Sequence, residues 1–197
     1  MTLPVELQNG ISREAINELP IRRYEGEVRL VETPADLDRA AADFAGERVV
    51  GFDTETRPAF RVGQHYPPAL AQVATARAVY LFPLARHDCS AVLAALLGSA
   101  TLKAGVGLAD DLRQLQPLFA FTPAAIVDLG SVARRHGLER SGVRALAALF
   151  LGIRIPKGIK TSNWAARRLS AAQIAYAATD AWACREIYLK FEALRLL

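Results

Sequence analysis

The sequence predicts a single α/β domain in which helices cover a central sheet, and three observations predict it. With 197 residues, 52% of them hydrophobic, the chain can bury one substantial core. Through the first two thirds, short β-prone runs alternate with helix-length amphipathic segments. The last third reads as almost wholly helical, interrupted by one loop.

Residues 1–27 are polar and weakly periodic, an extension that either drapes over the domain or stays mobile. Residues 28–32 form a short strand, and Thr33 caps a helix over 34–44 that begins on Pro34. The run 48–55, with Val49, Val50 and Phe52, favours extended structure. Runs 69–75 and 78–82, separated by a short turn, suggest a hairpin. A helix at 90–97, a strand at 101–105, a helix at 109–119 and a strand at 125–128 continue the alternation. Helices at 129–136, 143–151 and 170–196 complete the chain, with the loop 152–163 between the last two. There is no internal repeat.

The net charge of +4 suits a polyanionic partner without identifying one. Its distribution says more. Between Arg134 and Arg168 stand nine basic residues against the single acid Glu139, so that segment carries +8 and the remainder −4. Such a run is either a solvated arginine-rich face or a phosphate footprint, and the second reading needs a nuclease site nearby. Cys89 and Cys184 are too few for a disulfide framework and too far apart for a zinc site, so both are expected as buried, reduced thiols. The N-terminus lacks a basic start with an apolar core, and the longest apolar stretch, 91–102, is too short to span a bilayer. The expectation is a soluble, cytoplasmic protein with no membrane partner.

Three segments carry acids that can do chemistry. In the run 51–55, Asp53 and Glu55 stand two apart, so a strand presents both carboxylates on one face. Tyr176 and Asp180 stand four apart, one turn of a helix. The run 105–112 places Gly105 and Gly107 before Asp110 and Asp111; a dinucleotide fingerprint would need a third glycine at position 110, which is aspartate. Each segment alone is what an exposed strand end, an amphipathic helix or a helix entry would also produce. Together, acids from a strand, a helix start and a late helix can converge to hold two magnesium or manganese ions, which would activate a water and stabilise a leaving oxygen. Tyrosine, with an ordinary pKa near 10, would orient that water rather than deprotonate it.

The order Asp-x-Glu, Gly-Val-Gly followed by Asp, and Tyr-x-x-x-Asp resembles the three motifs of the DEDD superfamily of 3′-5′ exonucleases, tyrosine subgroup, in particular the ribonuclease D and Werner-type exonuclease domains. The resemblance also takes in Thr161-Ser162-Asn163-Trp164 and spans about 28–196. It implies that Asp53, Glu55, Asp111 and Asp180 are metal ligands and that Tyr176 positions the nucleophile. Aligning the second motif on Leu112 selects Asp111 over Asp110. The histidine subgroup would place its histidine at 175, which is alanine.

The resemblance further implies a ribonuclease H-like fold, a mixed five-stranded sheet with one antiparallel strand flanked by helices. The implied activity is stepwise release of nucleoside monophosphates from the 3′ end of DNA or RNA. The domain division expected is an extension at 1–27 and an exonuclease domain at 28–197. With no helicase motifs and no accessory helical module, the chain reads as a stand-alone catalytic domain whose substrate choice comes from its own surface or from self-association.

Lys157, Lys160, Ser162, Asn163 and Trp164 fall at the cleft rim that the resemblance implies. Lysines there would steady backbone phosphates, and Trp164 would either stack on a base or anchor the loop against the last helix. His65, with Arg57 and Arg61, lies after the first motif, either near substrate or in a solvated loop. Two rival classes remain: a non-catalytic nucleic-acid-binding module using the basic segment, and a glycoside hydrolase using the Asp53 and Glu55 pair.

Overall fold

Two sequence-adjacent β runs become a hairpin because Thr75 closes the turn: its backbone N–H donates to the Ala78 carbonyl (2.9 Å) and its hydroxyl accepts from the Ala78 N–H (3.0 Å). The computed structural model describes residues 3–61, 63–157 and 162–197. The hairpin joins β3 (Pro68–Ala74) to β4 (Ala78–Pro83), both buried along their whole length. To them are added β1 (Glu27–Leu30), β2 (Val49–Thr56), β5 (Leu102–Gly105) and β6 (Ile126–Asp128). The sheet order is β1-β4-β3-β2-β5-β6. Only β3 runs against its neighbours; β1 pairs with β4, and β2, β5 and β6 pair successively, in parallel.

The sheet therefore has six strands where the family resemblance implied five, although the segment-by-segment reading had marked all six. The single antiparallel strand stands as expected. The helix expected at 109–119 stops early, as α5 (Leu108–Leu115). Pro117 explains this: it has no N–H to continue the helical hydrogen bonds, although Gln116 before it still keeps helical backbone.

Helices cover both faces. On one side α3 (Pro34–Ala45), α4 (Ser90–Gly98) and α5 pack over Val50, Phe52, Val73 and Phe82. Thr33 starts α3 with a full capping box, Asp36 returning a bond to the Thr33 N–H. On the other side lies α8 (Ala171–Ala193), flanked by α6 (Leu129–Arg135) and α7 (Val143–Leu151). Before the first strand come α1 (Val5–Gln8) and α2 (Arg13–Glu18); Leu3 is buried in the same core as α6, α7 and α8 with Leu7 of α1 packed against it, whereas α2 buries no residue. Weak periodicity hid these two short helices.

The seat of α8 on the sheet is set by Gly51. A Cβ at that position would lie 1.9 Å from the Ala181 carbonyl oxygen, so the helix backbone rests directly on β2. A bidentate pair from Arg48 to Glu192 (2.6 and 2.7 Å) also links β2 to the end of α8. That pair is exposed and screened by solvent, so the close backbone approach decides the geometry.

Candidate functional site

Along β2, Gly51, Asp53 and Glu55 alternate onto the face that α8 covers, while Val50 and Phe52 turn into the opposite core. Because Gly51 lets α8 approach so closely, Asp180 meets the strand end. Oxygens of Asp53, Glu55 and Asp180 lie within 4.8 Å of one another. Asp180 is only 3% exposed, and its Oδ1 has no hydrogen-bond partner.

Asp111, at the start of α5, stands outside that 4.8 Å group but close enough for its charge to act on Asp53 and Glu55. The Thr54 hydroxyl donates to its Oδ1, which turns Asp111 toward β2. Asp110 instead points to solvent and pairs with Arg113 (2.7 Å). What fixes this end of α5 is Asp128, the last residue of β6. One of its oxygens accepts from the Gly107 and Leu108 N–H groups (2.7 and 3.1 Å), and the other from the Ser131 N–H (2.6 Å). Gly107 adopts φ of 80°, the left-handed backbone this entry turn requires. Asp128 thus supplies the cap that glycine cannot, and it positions Asp111 from a distance.

Crowded, partly dehydrated carboxylates resist ionisation, and these do. Burial, then the charges of Asp180 and Asp111, pushes Glu55 up to about 8. Burial raises Asp180 to about 6 despite a helpful Arg144, and raises Asp53 well above the carboxylate range with further pressure from Asp180, Asp111 and Glu55. Asp111 is raised mainly by burial, against the Thr54 hydrogen bond. An orphaned buried oxygen among mutually repelling carboxylates is the donor set a hard divalent cation satisfies, and the all-oxygen chemistry fits magnesium or manganese.

Tyr176 sits one turn before Asp180 on the same helix face. Burial, followed by the neighbouring Asp180, raises its phenol above the usual value, so it holds its proton at neutral pH and can donate it in a hydrogen bond. The Trp164 ring, at a centroid distance of 6.0 Å, backs the Tyr176 ring and is buried. Trp164 therefore offers no open face to a base; it anchors the loop against α8. Ser162 is also buried, whereas Asn163 and Lys157 are exposed. The Asn163 carbonyl accepts from the Gln173 side chain (3.2 Å), a second tie of the loop to α8. Lys160 lies outside the described residues.

Three residues escaped the sequence reading. Asp128 and Arg144 carry no motif; Arg144 lies close enough to favour the Asp180 anion, while its Nε donates to the Ile155 carbonyl (3.2 Å). Gln72 did leave a signal, as the lone polar residue of an otherwise apolar strand. It sits directly across from Asp53 in the β2–β3 register, fully buried, with neither amide atom hydrogen-bonded. Another member of the basic segment, Arg134, bonds Ser131 and Ser141 (both 2.9 Å).

Beyond Glu55, the chain opens a cleft of about 610 Å³ lined by Thr56, Arg57, His65, Tyr66, Arg113 and Gln114. Arg57 stacks over the Tyr66 ring at 4.6 Å. His65 and Arg57 thus share a cleft that begins at Thr56, the residue after Glu55.

A sequence-family model described as 3′-5′ exonuclease matches residues 28–194. Ribonuclease D of Haemophilus influenzae is 34% identical over 142 residues, covering 71% of this chain and 35% of that protein. A 3′-5′ exonuclease of Arabidopsis thaliana is 26% identical over 196 residues, covering 90% of this chain and 68% of the other. Among solved structures, the EXO domain of Aedes aegypti Nibbler superposes with a TM-score of 0.76 at 27% identity, covering 88% of this chain and 91% of that domain. The chain thus spans about a third of the ribonuclease D it matches.

Proposed function

The chain belongs to the 3′-5′ exonuclease family, and from that premise we propose that it removes nucleoside 5′-monophosphates from the 3′ ends of DNA or RNA with two magnesium or manganese ions. One observation carries the reading: carboxylate oxygens from a strand end and a distant helix, Asp53, Glu55 and Asp180, meet within 4.8 Å with the Tyr176 phenol beside them. Residues 28–197 form the catalytic domain in this reading, and residues 1–27 an addition to it.

Asp53, Glu55 and Asp180 would hold the ions, with Asp111 completing the set from α5. Bound there, the ions supply positive charge that favours a hydroxide nucleophile and stabilises the departing 3′-oxygen. The protein does the rest. Asp128 and Thr54 fix where Asp111 points. Tyr176, protonated at neutral pH, gives the attacking water a hydrogen bond that holds it in line with the scissile phosphate. Arg57, in the cleft that begins at Thr56, and Lys157 would take strand phosphates. A cytoplasmic setting accords with two buried free thiols.

The test is direct. Purified protein is incubated with 5′-labelled single-stranded DNA, RNA and duplexes of several lengths, with magnesium, manganese or chelator. Metal-dependent ladders shortened from the 3′ end are expected, lost in Asp53→Ala and Asp180→Ala variants that still fold. No shortening of any substrate with either metal would end the proposal.

A further inference from the structure

Residues ahead of the family match, which begins at 28, reach the site. The segment from Pro20 to Tyr24 is pinned on both sides. The Arg154 N–H donates to the Pro20 carbonyl (2.9 Å) and the Arg22 N–H to the Arg154 carbonyl (3.1 Å). Two residues on, the Tyr24 N–H donates to the Thr179 hydroxyl (3.0 Å), and the Tyr24 ring packs on Trp182 at 6.1 Å. Arg23 lies between these anchors, so its backbone is fixed against α8, next to the residue before Asp180.

There Arg23 borders a cavity of about 400 Å³ closed by Ile155, Pro156, Lys157, Tyr176 and alanines from the first turns of α8. The size and the apolar lining with few charges are those of a small-molecule site. Its two cations, Arg23 and Lys157, are exposed, and Arg23 has no paired carboxylate among the described residues. Arg144 stiffens the wall through its bond to Ile155. Tyr176 is part of the lining, so the cavity adjoins the candidate catalytic group.

Resting on the exonuclease reading, we propose that this cavity is a subsite for one unpaired nucleotide of the substrate strand adjoining the scissile phosphodiester, with Arg23 on its phosphate. Ala171, Ala172 and Pro156 offer accessible apolar surface for a base or sugar, and side chains this small leave room for any base. Arginine suits the phosphate because its planar fork bonds two oxygens at once. The segment at 20–24 is thus part of the substrate channel.

The experiment measures binding apart from turnover. Fluorescence anisotropy of 5′-labelled single-stranded oligonucleotides of two to eight nucleotides is recorded in chelator over a salt series, for wild type, Arg23→Ala, Arg23→Lys and Arg23→Glu. Steady-state kinetics with manganese follow on the same strands. Arg23→Ala is expected to weaken binding about tenfold and to lower the slope of log affinity against log salt by about one. Arg23→Glu should weaken it further, Arg23→Lys should restore most of it, and the kinetic loss should fall mainly on KM. Equal affinity and equal salt slope across all four proteins would overturn the subsite. An inactive wild type that still shows the Arg23 dependence would sink the exonuclease reading and leave the subsite standing.

Discussion

Tyr176 and Gln72 show how much single side chains decide here. Tyr176 keeps its proton because burial and neighbouring carboxylates oppose ionisation, so its contribution is a hydrogen bond and a position, not basicity. Tyr176→Phe keeps the ring against Trp164 and deletes only the hydroxyl. Metal affinity measured by calorimetry is expected to stay within about twofold while kcat falls about a hundredfold. An unchanged kcat would remove Tyr176 from the mechanism. Gln72 makes the opposite case. Its amide is fully buried beside Asp53 with no partner on either atom, and an unsatisfied buried polar group costs about 1–3 kcal/mol. In chelator, Gln72→Leu should therefore raise the thermal midpoint. If the amide instead serves a loaded site, the same variant should bind manganese more weakly. A lower midpoint in chelator would mean that the amide has a partner in solution.

Among the elements, β2 and α8 matter most, and their contact rests on an absent side chain. Gly51→Ala would drive a methyl into the Ala181 carbonyl. Backbone cannot swing aside as a side chain can, so α8 must lift from the sheet, at a cost of about 3 kcal/mol in stability. Lifting α8 also draws Asp180 away from Asp53 and Glu55. Denaturant unfolding and manganese titration should both register the change; a variant that unfolds like wild type and binds metal as tightly would show that the helix is not seated this way. The sequence showed Gly51 only as the first residue of a strand motif, because close approach between segments 130 residues apart has no local signature. The acids themselves were legible, since alternation in a strand and four-residue spacing in a helix fix relative direction. The resemblance, aligned on Leu112, points to Asp111 rather than Asp110, and of the two it is Asp111 that turns toward β2. Asp128 was not, because its work is to accept backbone N–H groups about 20 residues away. The helices α1 and α2, four and six residues long, fell below the length at which periodicity speaks.

For the whole molecule, the clustered acids make stability a function of both pH and metal. The Glu55 carboxyl is raised from an ordinary 4.5 to about 8 and that of Asp180 from 3.8 to about 6. Folding thus favours their protonated forms. Their contribution is complete below the unfolded pKa values and is lost as pH rises through the folded ones. Metal-free protein should accordingly melt at progressively lower temperature between about pH 5 and pH 8. Lys103, buried with its ammonium on the Leu96 and Ser99 carbonyls, is depressed to about 8. Its effect runs the other way, with stability lost as pH falls from the unfolded value toward 8, so it leaves the lower window to the carboxylates. Saturating magnesium or manganese supplies the missing countercharge, and binding to the folded state alone adds stability by mass action. The gain in melting temperature on adding metal should therefore be larger at pH 8 than at pH 5, where protons compete for the same oxygens. Differential scanning calorimetry across that range, with and without chelator, reads both trends. A metal-free midpoint that stays level or climbs from pH 5 to pH 8 would mean that the four acids do not crowd one another in solution, and a metal increment independent of pH would mean that the ions bind elsewhere.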